Sequence, residues 1–227
     1  MRLSLTRPRW DLFRDVLRVG VLSSINATLL NLMVLLVTAA VGRFGLDAIG
    51  GYGTASRLDY VLIPLLFGMG TAILTMVGTN VGAADYARAR RVAWIGAAIS
   101  AAFTGLLGLV VALFPTLWMG LFTRQPAIVE TGSLYLRIVG PTYAANGLIF
   151  ALNFAAQGRG RMALPFLAAS VRILIAAGGG WIAVSIFGCP PPVLFAIVGI
   201  ASVVAALIFV AADRRNWIRP AGGARQR

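Results

Sequence analysis

The chain has 227 residues, 59% of them hydrophobic and only 12% charged, where soluble domains carry roughly a quarter charged residues. Its net charge of +13 comes entirely from 20 arginines against 7 acids, with no lysine and no histidine, which excludes histidine-based catalysis and histidine metal sites. The single Cys189 excludes a disulfide framework within the chain, and arginines that flank apolar runs instead of forming one basic face argue against a nucleic-acid partner.

Charge is absent from Val19 to Gly42, Tyr60 to Ala84, Val92 to Thr123, Ile138 to Gly158, and Ile173 to Ala212. About 20 apolar residues cross the ~30 Å hydrocarbon core of a bilayer. A chain of this length has no interior large enough to hide so many segments that are apolar all round. Backbone groups in lipid must be satisfied within the segment, so runs of this length are expected as helices. The expectation is an all-α, polytopic transmembrane six-helix bundle over residues 19–212.

In chain order, residues 1–18 read as a cytoplasmic amphipathic lead-in, too charged and too long for the front of a cleaved signal sequence. The first helix is expected over 19–42. The second covers 47–81, with Asp47 as its cap and a kink at Pro64. The third covers 92–118. The fourth covers 127–157, with Pro126 suited to the first helical position and Pro141 expected to kink it. The fifth covers 162–187, and Gly188-Cys189-Pro190-Pro191-Pro192 is a turn, because consecutive prolines cannot continue a helix. The sixth covers 193–212, and residues 213–227 form a basic cytoplasmic tail in contact with anionic lipid. Trp10, Trp94, Trp118 and Trp217 fall near the expected interfaces, where tryptophan anchors helices.

Arginine placement orients the bundle. The lead-in holds Arg2, Arg7, Arg9, Arg14 and Arg18; the second loop Arg88, Arg90 and Arg91; the fourth Arg159 and Arg161; the tail Arg214, Arg215, Arg219, Arg225 and Arg227. The opposite loops have Arg43, Arg57 and Arg124. Cytoplasmic loops carry the excess, so both termini are expected in the cytoplasm of a cell bounded by an inner membrane.

Polar residues inside spanning helices mark packing contacts or pathways. Asp59 falls about 18 Å into a helix that starts at Asp47, and Arg172 about 15 Å into one that starts at Met162, at ~1.5 Å per residue. Both charges reach mid-depth. They read either as a structural ion pair or as a site at which Asp59 holds a proton or attracts a cation. Ser24, Thr28 and Asn31 share a face of the first helix, which serves interhelical hydrogen bonding or lines a cleft. Tyr143, Asn146, Asn153 and Gln157 repeat along one face of the fourth helix, a stripe expected to line a cleft. Gly178-Gly179-Gly180 has no following lysine or preceding strand and reads as a place for close helix contact or bending. No catalytic constellation points to an enzyme.

Two blocks carry a family resemblance. The first runs from Tyr52-Gly53-Thr54-Ala55-Ser56-Arg57-Leu58-Asp59 through Pro64-Leu65-Leu66-Phe67-Gly68-Met69-Gly70-Thr71-Ala72. It continues with Val77-Gly78-Thr79-Asn80-Val81-Gly82-Ala83-Ala84 to the basic Ala87-Arg88-Ala89-Arg90-Arg91. The second comprises Leu136-Arg137-Ile138-Val139-Gly140-Pro141 and Ala156-Gln157-Gly158-Arg159-Gly160. From about Arg14 to Ala212 the chain resembles the C-terminal half of multidrug and toxic compound extrusion (MATE) transporters.

The resemblance implies one half of a two-bundle, twelve-helix transporter that exchanges Na⁺ or H⁺ for organic, often cationic drugs by alternating access. It implies no organic cofactor, and as partners membrane lipid, a small organic substrate and a second six-helix bundle, from another chain or a second copy. It sets Asn146 where several sodium-coupled members carry an aspartate, and Asn31 or Thr28 near a first-helix glutamate of other members. Asparagine can coordinate a cation through its carbonyl oxygen but brings no charge. Coupling is therefore expected at Asp59 or at an acid in the other half. A related fold serves lipid-linked-sugar flippases, which need a strongly cationic cleft; the spans offer Arg57, Arg137 and Arg172. A non-transporting fragment or membrane scaffold is the third reading.

Overall fold

A computed structural model describes residues 10–216. Residues 1–9 of the lead-in and 217–227 of the tail, with Trp217, lie outside the described residues. The elements are α1 (Trp10–Val41), a 3-10 turn (Gly42–Phe44), α2 (Leu46–Gly82), α3 (Tyr86–Leu113), α4 (Pro115–Met119) and α5 (Pro126–Val139). A second 3-10 turn (Gly140–Thr142), α6 (Tyr143–Gly158), α7 (Ala163–Ile173), a π-helical turn (Leu174–Gly179), α8 (Gly180–Ser185) and α9 (Pro191–Asn216) follow. Among the described residues there is no strand.

Five stretches are long and apolar enough to cross a membrane: Leu46–Gly82, Tyr86–Leu113, Pro126–Gly158, Ala163–Ser185 and Pro191–Ala212. No more than 50% of the most apolar window of any of them is buried inside the bundle. The rest faces outward, as lipid-facing helices must. The 32 residues of α1 reach about 48 Å at ~1.5 Å each, more than a bilayer core.

Several boundaries differ from the sequence expectation for identifiable reasons. The helix α1 starts at Trp10, so residues 10–18 continue the first helix instead of forming a separate lead-in. The basic stretch Arg88 to Arg91 lies inside α3, because the Asp85 carboxylate accepts a 2.9 Å hydrogen bond from the Arg88 amide and caps the helix. Asp47 does not cap α2; the helix starts after Gly45, whose φ of 107° suits glycine, and Asp47 accepts a 3.0 Å hydrogen bond from the Gln125 side chain. Pro64 sits inside α2 without ending it. The expected break at Pro141 is present as the 3-10 turn between α5 and α6, and Pro126 does take a first helical position. The final helix extends to Asn216, into the segment read as a tail.

Packing is built on small residues. One face of α3 presents Ala89, Ala93, Ala97, Ser100, Thr104 and Gly108, all buried, towards α6, its most extensive partner. Spacing of three and four residues keeps this stripe on one side of a helix, and small side chains let the backbones approach. A Cβ placed on Gly108 would lie 2.8 Å from the Tyr143 Cβ, and one on Gly140 would lie 2.6 Å from the Gly108 carbonyl oxygen. The other part of the core is largely aliphatic and holds an aromatic cluster. Tyr52 meets Tyr135 edge-on at 5.1 Å, and Tyr135 meets Phe195 edge-on at 5.2 Å, joining α2, α5 and α9.

Candidate functional site

The helices line a partly open cavity of about 240 Å³ walled by α1, α2, α3, α6, α7 and α9. Tyr52, Ala55, Leu58, Leu62 and Leu66 recur on the buried face of α2, and Asp59 sits beside that face, so the carboxylate is carried into the interior. Arg172 stands in the last turn of α7, just before the π turn. Asp59 and Arg172 both line the cavity. They interact coulombically across it, and no direct ion pair closes between them.

The wall from α6 supplies Tyr143, Asn146 and Asn153, at the helical spacing of the polar stripe. The 3-10 turn ending at Thr142 sets Tyr143 at the head of α6, with its ring buried. Its hydroxyl faces the Asp59 carboxylate as its hydrogen-bonding neighbour. The buried Asn146 Oδ1, Asn153 Oδ1 and Arg172 Nε have no hydrogen-bond partner. Buried polar atoms are nearly always partnered in folded proteins, so three such atoms around one cavity mark its wall as a place that can bind a polar group.

Three of the residues singled out from sequence lie elsewhere. Gln157 is not part of the lining. Asn31 and Thr28 are exposed on α1, and the Thr28 hydroxyl donates to the Ser24 carbonyl at 2.9 Å within its own helix. The α1 wall comes instead from Met33 and Val34. Sequence reasoning passed over Thr104, Phe150, Phe154 and Phe209, which also line the cavity. Thr104 belongs to the small-residue stripe of α3, the one signal that could have marked it. Phe150 and Phe154 stand one turn apart, their ring centroids 5.3 Å from each other.

Among the described residues, Asp59 is the one acid of the lining and Arg172 the one base.

The sequence model of one family, MatE, matches residues 23–182. The chain belongs to the MatE family. The probable multidrug resistance protein NorM of Thermotoga maritima is 26% identical over 173 residues, which is 76% of this chain and 37% of that protein. A solved MATE structure in complex with MaD3S superposes with a TM-score of 0.86 at 18% identity, over 96% of this chain and 48% of that one. The Vibrio cholerae MATE transporter VcmN in its bent form gives a TM-score of 0.76 at 20% identity, over 85% of this chain and 44% of that one. At such identities the structural likeness establishes the fold. This MatE chain spans little more than a third of the length of that relative and about half of the solved transporters. Membership of MatE and the five long apolar helices make it a multi-pass membrane protein.

Proposed function

We propose that this chain is one bundle of a membrane antiporter that exports organic, often cationic compounds in exchange for H⁺ or Na⁺. The observation that carries the reading is the cavity. Its lining brings together the Asp59 carboxylate, the neighbouring Tyr143 hydroxyl and two amide carbonyls without partners, those of Asn146 and Asn153, among mostly apolar side chains. Asp59 attracts the cationic ligand or the coupling ion, Asn146 and Asn153 offer carbonyl oxygens, and Phe150, Phe154 and Phe209 supply apolar and π surface. Names of relatives such as multidrug resistance protein NorM support the substrate class.

One bundle forms one wall of an alternating-access cleft, and the span of about half a solved MATE chain favours assembly with a second bundle. The arginine distribution favours an inner-membrane location with both termini in the cytoplasm. The flippase reading is weaker because, among the described residues, Arg172 is the only arginine of the cavity lining; Arg57 and Arg137 lie outside it.

The test is transport in liposomes by the full chain, alone and with the product of an adjacent reading frame, using ethidium as cargo and imposed H⁺ or Na⁺ gradients. Gradient-driven dye movement that Asp59→Asn abolishes is the expected result. Transport that ignores both gradients, or persists undiminished in Asp59→Asn, removes the proposal. Crosslinking that finds only a functional monomer removes the second bundle.

A further inference from the structure

Asp59 and Arg172 bring opposite charges into the lining of one cavity, where they sense each other without a direct ion pair. The Arg172 Nε donor has no acceptor, while the Asn146 and Asn153 side-chain carbonyls have no donor. A protein that needed only to neutralise two intramembrane charges would close them into an ion pair, because each buried charge without a partner is costly. Here both side chains line a cavity of about 240 Å³ instead.

Charge balance then selects the occupant. The charges of the described lining residues sum to zero. A monocation that settles on Asp59 leaves the positive charge of Arg172 uncompensated in a poorly screened interior, and a monoanion on Arg172 does the same to Asp59. A ligand with both charges keeps the sum at zero and gives each wall its partner. Ligand pockets commonly measure ~300–1,000 Å³, so this one suits a small molecule or the charged end of a larger one. Phe150 and Phe154 offer faces for a quaternary ammonium. Arg172 also precedes a π-helical turn, a departure from regular helix that recurs at functional sites.

We propose that the cavity binds a zwitterion, with its cationic end on Asp59 and its anionic end on Arg172. The inference rests on the reading of the cavity as the transport site and narrows its ligand from organic cations in general.

The experiment is calorimetric titration of the full chain in lipid nanodiscs. The probes are trimethylammonium carboxylates of increasing spacer length, tetramethylammonium and butyrate. The expected result is one preferred spacer that binds about tenfold or more tighter than either singly charged probe. Arg172→Gln then inverts the order in favour of tetramethylammonium, and Asp59→Asn inverts it in favour of butyrate. Loss of fold cannot produce such an inversion, and the wild-type order decides alone if either variant fails to express. Tetramethylammonium binding the wild type more tightly than every zwitterion overturns the inference and leaves the transport cavity standing. Binding of no probe at all overturns both.

Discussion

The Thr104 hydroxyl on α3 donates a 2.8 Å hydrogen bond to the Tyr143 carbonyl at the head of α6, 39 residues further along the chain. The same hydroxyl reaches the Ser100 carbonyl at 2.9 Å, so it is shared between its own helix and its neighbour. Both residues line the cavity. The bond therefore fixes where the polar wall of α6 begins, directly after the turn that Pro141 forces.

Thr104→Val keeps the shape of the side chain and removes that link. Interhelical hydrogen bonds in membranes are worth about 0.6 kcal/mol on average and at most about 1.7. The variant should express and melt a few degrees lower in detergent, with ligand binding weakened more than stability because Tyr143 loses its anchor. An unchanged melting midpoint together with unchanged dye binding would show that the bond positions nothing.

Gly108→Leu should be far more damaging. A side chain there meets the Gly140 carbonyl and the Tyr143 Cβ, backbone and rigid ring base that cannot step aside. Overpacking a tight contact costs about 1–3 kcal/mol, and here it forces α3 from α6 along their main seam. Gly178→Ala is the contrast, since nothing lies within 4 Å of the added carbon. Size-exclusion chromatography should show aggregate for the first variant and a wild-type profile for the second.

Asp85→Ala tests how α3 begins. Loss of a side-chain cap costs about 1 kcal/mol, and the site is exposed, so the protein should remain folded with a lower melting temperature. Asp85→Asn keeps an acceptor for the Arg88 amide and should recover most of the loss. Equal melting of both variants would mean that the cap contributes little.

These contacts also explain which features were legible in the sequence. Charge-free runs show that helices cross a membrane, because that requirement concerns composition alone. Proline shows where the fourth span breaks, because a missing N–H is a local property. The start of α3 was misplaced because Arg88, Arg90 and Arg91 look like a loop until Asp85 is recognised as a cap. The π turn left no mark, since Leu174 to Gly179 is as apolar and continuous as its surroundings. Of the candidate site, Tyr143, Asn146 and Asn153 were legible from periodicity on one helix. Gln157 lies at the end of α6, past the cavity. The rotation of α1 was not legible, because polar residues on a membrane helix can face either a cavity or an outer surface. Thr28 and Asn31 took the exposed side while Met33 and Val34 took the wall.

The coupling between Asp59 and Arg172 can be weighed without any ligand. Removing the carboxylate with Asp59→Ala leaves a guanidinium in the bundle with no opposite charge in the cavity lining. An uncompensated arginine at mid-membrane costs at least ~2.5–3.5 kcal/mol on the mildest insertion scale, a large fraction of the stability of an ordinary domain. Asp59→Ala should therefore yield little monodisperse protein. Arg172→Met alone leaves the carboxylate without its opposite charge and should also destabilise. The double variant removes both charges and should recover much of the yield, with a coupling energy in the ~0.5–3 kcal/mol range found for interacting residues. Fluorescence-detected size exclusion and melting of the four proteins provide the cycle. Losses that simply add in the double variant would mean that the two charges do not sense each other. The cavity would then hold two independent sites, and each charge would need its own partner in the loaded state.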